Sequence, residues 1–433
     1  MTAAEERRSA GWRGVLAWCV YDWANSAFNT VVGTFVFSVY FARAIYGDET
    51  AGSAMWGYVL GLSGLAVAIL SPVVGAIADR SGRRKPWLGI FTAATVIPTA
   101  LLWYALPSQD WLIYSLICVA LASIAFELAG VFYNAMLPGV APPAKLGRVS
   151  GWGWGLGYIG GLACLTLALI GFIGLGDSPG LFGIPKEEAA HVRATNLLVA
   201  AWFALFALPL FLFSPDREPT GVPISEAIRS GLSDLARTVR QIWRQRPVVR
   251  FLIASALYRD ALTTLFAVGG LYAAGTFGMS FQQILLFAIG LNVTAGLGAI
   301  GFAWLDDAMG SKRTVLASLA GLIAFGIPLL LISDPTSFIL LALGLGIFVG
   351  PVQAASRSLM ARLSPPGMQT EMFGFYALTG KSVAFIGPLS FGLATSLFNS
   401  QRAGMATIVL FFAIGFLLLL GVREPQRASG RPA

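Results

Sequence analysis

Six ionisable side chains fall inside long apolar stretches of this chain: Asp22, Glu127, Arg259, Asp260, Arg357 and Lys381. A charge near the middle of a bilayer costs about 2.5 kcal/mol or more, so each has work to do. Three carboxylates with two or three cations suit a small zwitterion, whose two charged ends need opposite partners. They also suit ion pairs that form and break within the protein. Glu127 sits between Phe126 and Leu128 with no cation close in sequence. Burial raises a carboxyl pKa, so proton carriage is one reading for it, beside substrate binding and structural pairing. Tyr21-Asp22 and Tyr258-Arg259 recur at related positions, which predicts that Asp22 and Arg259 face each other. Asp260 adjoins Arg259, but neighbours on a helix point about 100° apart and need different partners. Arg357 carries a second reading, an end-of-helix anchor that snorkels to lipid headgroups.

Uncharged polar residues extend the set. Asp22, Asn25 and Asn29 share one helical face at i, i+3 and i+7 spacing. Tyr133, Asn134 and Gln353 add polar groups to two further apolar stretches, and Tyr258 is a candidate aromatic wall. For any one aromatic, packing is the commoner use. The cysteines Cys19, Cys118 and Cys164 lie in apolar segments and read as small buried hydrophobes, and His191 is the lone histidine. No metal or cofactor site is expected, and no nucleophile–base spacing points to an enzyme.

The elements that carry these residues are membrane spans. Hydrophobic residues make up 56% of the 433, charged residues only 12%, and mean hydropathy is +0.74; a soluble domain carries about 25% charge. A span needs about 20 apolar residues. Twelve are predicted, at 14–42, 53–78, 86–106, 111–138, 149–175, 190–213, 248–274, 280–305, 313–333, 336–362, 371–397 and 403–421. The first is too long for the core of a cleaved leader. Between the sixth and seventh lies an Arg-rich stretch. In it Ile224, Ile228, Leu232, Leu235 and Val239 are spaced as one face of an amphipathic surface helix. The expected organisation is a six-helix bundle over 1–213, a linker over 214–247 and a second six-helix bundle over 248–433. The net charge of +8 collects in alternate loops, which excludes a nucleic-acid reading and predicts both termini in the cytoplasm.

One charged loop occurs twice. Gly75, Asp79, Arg80, Gly82, Arg83, Arg84 and Lys85 join spans 2 and 3; Asp307, Gly310, Lys312 and Arg313 join spans 8 and 9. Cations just past a helix C-terminus are favoured, and Asp79 suits an arginine or the N-terminal amides of a neighbouring helix. Such a cluster can latch helix ends together. The second copy has Ala303 in place of Gly75 and Ala308 in place of Arg80, so the latch is expected to lean on Asp79. The pattern Gly-x-x-x-Asp-Arg-x-Gly-Arg-Arg-Lys resembles the signature loop of the major facilitator superfamily. The stretch Trp18 to Thr30, and Phe132 to Pro138 with Gly147 to Gly151, is similar to the fungal vacuolar amino-acid effluxers and their bacterial relatives.

That resemblance implies an all-α integral membrane fold of twelve helices in two pseudo-symmetric bundles, with spans 1, 4, 7 and 10 lining a central cavity. It implies secondary transport of a small polar organic solute, amino-acid-like, by efflux, with protons as a candidate coupling ion. A lipid or amphiphile flippase or drug exporter is the alternative on the same scaffold. No Gly-x-x-x-x-Gly-Lys-Ser/Thr loop is present, so ATP is not the expected energy source. The expected setting is a monomer spanning a bacterial inner membrane.

Overall fold

The computed structural model describes residues 11–174, 180–222, 226, 240, 245–279 and 281–424. Among these there are helices and connecting loops and no strand. The expected surface helix with Ile224, Ile228, Leu232, Leu235 and Val239 lies outside the described residues.

Among the described residues twelve helical spans are long and apolar enough to cross a bilayer: Trp12–Ile45, Ala51–Ser81, Lys85–Tyr104, Gln109–Val140, Pro143–Ile173, Glu187–Phe213, Arg246–Phe277, Leu286–Met309, Ser311–Leu331, Pro335–Leu363, Gln369–Phe398 and Gln401–Leu420. They are called spans 1 to 12. Their outward faces carry large apolar side chains such as Leu62, Leu205, Leu297 and Leu417. Lipid replaces water there, so these faces need no cover.

Spans 1, 5 and 11 depart from regular α-helix along their length. Span 1 passes into wide π turns at Phe28–Phe35 and Phe41–Ile45, and span 5 does so at Ala168–Ile173. Span 11 is broken into Gln369–Val383 and Ile386–Phe398. Such departures expose backbone groups inside a protein and recur at functional sites.

The first six spans meet the last six mainly along two seams, span 2 against span 11 and span 5 against span 8. Small residues set both. A Cβ on Gly75 would lie 2.7 Å from the Thr370 carbonyl, and one on Gly151 would lie 2.5 Å from the Ala303 Cβ. Span 5 presents Gly147 and Gly151 to span 8 and Gly153, Gly157 and Gly160 to span 1. Its many glycines therefore let one helix pack closely on two neighbours.

The seam between spans 2 and 11 closes at one end only. Along span 2, Gly75 and Ser71 touch span 11, the Ser71 hydroxyl donating to the Gly374 carbonyl at 3.0 Å. A methyl added at Gly64 would find Lys381 Cδ nearest, at 3.6 Å, and at Gly61 and Gly57 nothing among the described residues lies within 4 Å. The two halves thus form a wedge, sealed at the end with the charged loops and parted at the other.

Candidate functional site

At the sealed end Asp79 closes span 2 onto the start of span 11. Its carboxylate accepts from the Glu371 amide at 2.9 Å and the Thr370 hydroxyl at 2.8 Å. This places a negative charge on a helix N-terminus in the other half, where free amides and the dipole both favour it. Arg84 Nη2 lies 3.2 Å from the same carboxylate. The buried Arg84 guanidinium also donates to the Ala135 carbonyl at 2.6 Å, Thr370 at 2.9 Å and Gln369 at 3.0 Å. Burial pushes the Arg84 pKa down, and Asp79 opposes that shift. Gly82 ends span 2 at φ +84°, a turn that favours glycine.

The second loop forms the mirror contact. Asp307 accepts from the Gly147 amide at 2.9 Å and the Arg148 amide at 3.2 Å, capping span 5. The expectation that this copy is weakened by its losses is corrected. The small residue has moved to the partner helix as Gly151, opposite Ala303. The missing cation is supplied by Arg148 and by Arg362, which lie 3.4 and 3.9 Å from Asp307. Sequence reasoning missed three further acids. Asp306 accepts from the Ser311 hydroxyl at 2.6 Å and lies 3.4 Å from Arg362. Asp216 accepts from the Arg84 and Lys85 amides at the start of span 3, and Glu424 from the Ser311 and Lys312 amides at the start of span 9. Their symmetry was visible only as an acid a few residues past spans 6 and 12. Lys312 donates to the Leu420 carbonyl at 2.8 Å, Gly310 turns at φ +97°, and Arg83 and Arg313 are exposed.

Above the latches a buried cross-half pair joins Asp22 to Arg357 at 2.9 Å. Arg357 enters the first half from span 10. It donates to the Ser150 hydroxyl at 2.9 Å and the Ser150 carbonyl at 2.6 Å, and reaches Asn134 at 3.4 Å. Trp18, Tyr133 and Trp154 surround it with ring centroids at 4.8, 5.5 and 5.7 Å. Nearby, Gln353 donates to the Tyr158 hydroxyl at 2.9 Å, again across the halves. A planar, permanently charged guanidinium suits this bolt, since it satisfies several acceptors while stacking on aromatics.

Where the wedge opens, a second cross-half pair joins Lys381 of span 11 to Glu127 of span 4 at 2.6 Å. It differs from the bolt in exposure: the two side chains are 31% and 37% accessible, against 4% for Arg357. Arg259 reaches the same stretch of span 11, lying 4.1 Å over the Tyr376 ring and donating to the Tyr376 carbonyl at 3.1 Å. Two cations and one carboxylate therefore collect at the floor of the open wedge.

A scan against protein families matches residues 38–146 and 144–429 to the family described as vacuole effluxer Atg22 like. The chain belongs to that family. Among similar proteins is the MFS-type transporter YxiO of Bacillus subtilis, 30% identical over 94% of both chains. Autophagy-related protein 22 of Cryptococcus neoformans is 25% identical over 62% of this chain and 48% of its own length. Among solved structures, the transporter FucP in its outward conformation superposes with a TM-score of 0.74 at 16% identity, over 95% of this chain and 99% of that one. The human organic anion transporter MFSD10 gives 0.70 at 16% identity, over 94% and 99%. This Atg22-like chain is thus a secondary transporter of the major facilitator type.

Several predicted placements change in this Atg22-like chain. Asp22 does not face Arg259; its partner is Arg357, because the cross-half contact at that depth is made by span 10. Arg357 is consequently no snorkelling anchor. Glu127, without a cation near it in sequence, has one in space. Tyr258 does not wall the wedge: it is fully buried, bonded to Ser356 at 2.6 Å within its own half. Tyr133 is likewise buried, its hydroxyl donating to the Trp18 carbonyl at 3.1 Å. Asn25 is half-buried and Asn29 exposed, so the stripe from Asp22 runs from the bolt outward. Asp260 is buried and bonded to span 11.

Proposed function

We propose that this protein exports a small zwitterionic, amino-acid-like solute across a bacterial inner membrane by alternating access. The observation that carries the reading is the Glu127–Lys381 pair. Its charges are opposite, it bridges the halves, and it stands half-accessible where the wedge opens. An incoming ammonium is matched to Glu127, and an incoming carboxylate to Lys381 with Arg259 beside it. Inserting a zwitterion exchanges one ion pair for two, so the binding site loses no charge neutralisation. The same exchange loosens the direct tie between the halves and gives substrate a means of driving their motion. The Asn25 and Asn29 side of span 1 is a candidate for the uncharged part of the solute.

Orientation rests on charge. Arg80, Arg83, Arg84, Lys85, Lys145, Arg148, Lys312 and Arg313 collect at the sealed end, and loops rich in Lys and Arg stay in the cytoplasm. The termini would then be cytoplasmic, the wedge would face outward, and the six-helix halves over 1–213 and 248–433 would rock against one another, parting the latches and the bolt. The effluxer description of the family supports export. Protons are the candidate coupling ion.

Purified protein screened for thermal stabilisation by amino acids, peptides, sugars and lysolipids tests this reading. Binding to the folded state stabilises by RT ln(1 + [L]/Kd), so a hit names the chemical class. The expected hit is an amino acid, with the effect lost in Glu127→Gln and Lys381→Gln. Stabilisation by lysolipids alone would overturn it in favour of an amphiphile flippase, and amino-acid stabilisation that survives both substitutions would move the site elsewhere.

A further inference from the structure

We propose that Asp260 is a proton-binding site that controls the break in span 11. The break falls between Val383 and Ile386, and Asp260 of span 7 sits against it. One carboxylate oxygen accepts from the Gly387 amide at 2.7 Å, capping the second segment, Ile386–Phe398. Among the described residues the other oxygen is buried with no hydrogen-bond partner. Asp260 is 2% exposed overall. There is no slack around it: a Cβ on Gly387 would lie 3.0 Å from the capping oxygen and would overlap the Thr264 hydroxyl.

The local cations are committed elsewhere. Arg259, its chain neighbour, is turned to Tyr376. On the first segment of span 11 Lys381 is held by Glu127, and Glu371 sits in its first turn at the sealed end. On span 10 Arg357 is held by Asp22 and Arg362 by Asp306 and Glu424. On span 8 Asp306 and Asp307 belong to the latch cluster, and on span 12 Arg402 donates to the Ile332 carbonyl. Tyr258 and Tyr272 on span 7 itself bond Ser356 and the Leu329 carbonyl.

A carboxylate buried without a counter-charge is unfavourable, and taking up a proton from water at the unpartnered oxygen removes the penalty. The two forms grip span 11 differently. The charged form makes a charge-assisted bond at a helix N-terminus, about twice as strong as the neutral one. Deprotonated Asp260 therefore pins the second segment of span 11 to span 7 and keeps the wedge parted. Protonation slackens the cap and frees that segment to move toward span 2. The device works whatever the substrate and stands apart from the Glu127–Lys381 reading.

The test is the separation of spin labels placed on spans 2 and 11 at the open end, at Gly57→Cys and Leu397→Cys, followed against pH without substrate. The expected wild-type result is closure of the wedge as pH falls, with the closed-to-parted ratio changing by at most tenfold per pH unit, the limit for one proton. Asp260→Asn keeps an acceptor for Gly387 but not the charge, so it should be flat with pH and resemble the wild type at low pH. An Asp260→Asn protein with the wild-type profile overturns the proposal, as does a wild type that shows none. Should Asp260→Asn not fold, Asp260→Glu decides: it retains a carboxyl at altered distance, so its midpoint must move, and an unmoved midpoint overturns the proposal equally.

Discussion

Replacing Asp79 by Asn tests the latch directly. Two of the bonds to this carboxylate cross between the halves and must break when the sealed end opens: Thr370 at 2.8 Å and Glu371 N at 2.9 Å. Arg84 at 3.2 Å lies in the same half, so its bond survives opening. Arg217 at 3.6 Å is 36% exposed and adds little. Hydrogen bonds to a charged acceptor contribute about 1.5–3 kcal/mol, neutral ones about 1. Asparagine keeps one acceptor and loses the charge facing the span 11 N-terminus. The sealed state should lose about 2–3 kcal/mol, which is about 30- to 150-fold in the sealed-to-open ratio. A ratio of 99:1 would then fall to about 3:1 or below. Spin labels at the exposed positions Arg83 and Pro366, one in each half, report it as a long-distance population in a pulsed dipolar experiment. The native cysteines are buried and need not interfere. Distance distributions that superpose for wild type and Asp79→Asn would refute the argument, since they would mean the cross-half bonds carry no net free energy.

Asp307→Asn should open the same end by a similar factor, because its two bonds from span 5 amides correspond to the one hydroxyl and one amide bond that Asp79 takes from span 11; combined with Asp79→Asn, the labels should show the open population dominant. Gly75→Ala should shift the ratio in the same direction without altering any charge, as its Cβ would lie 2.7 Å from the Thr370 carbonyl, and cross-linking of cysteines across the sealed end measures it. Arg357→Ala leaves Asp22 in a buried site without its partner, so the sealed state should weaken by about 3–5 kcal/mol, read as a lowered thermal midpoint. Tyr258→Phe should lower that midpoint slightly, by the worth of one hydrogen bond of about 1 kcal/mol, and leave solute affinity unchanged.

Some of the site is legible before folding, and some is not. The loop Gly75 to Lys85 declares a helix-end charge cluster because its residues are contiguous, and the role of Asp79 as acceptor for a neighbouring helix follows from where helix amides are free. The compensation at the second loop is hidden, since the small residue reappears on span 5 as Gly151 and the cation on span 10 as Arg362. Pseudo-symmetry misleads at Asp22: equivalent positions need not touch when the halves cross by a different helix. Tyr258 reads as a wedge residue yet is buried, because helical periodicity in a membrane segment does not separate a face turned to a cavity from one turned to a neighbouring helix.

By itself the sequence determined the membrane class, the twelve spans, the charge asymmetry between loops and the resemblance to the effluxers. These depend on composition and on contacts within one span or one loop, which chain order already fixes. Only the tertiary structure decided which charge answers which. Asp22 and Arg357 are 335 residues apart, and Glu127 and Lys381 are 254 apart. No local rule connects such positions. They meet because glycine-lined seams set how closely two half-molecules approach, and because the seam of spans 2 and 11 closes at one end. A buried bolt at the sealed end and an accessible ion pair at the parted end are the result.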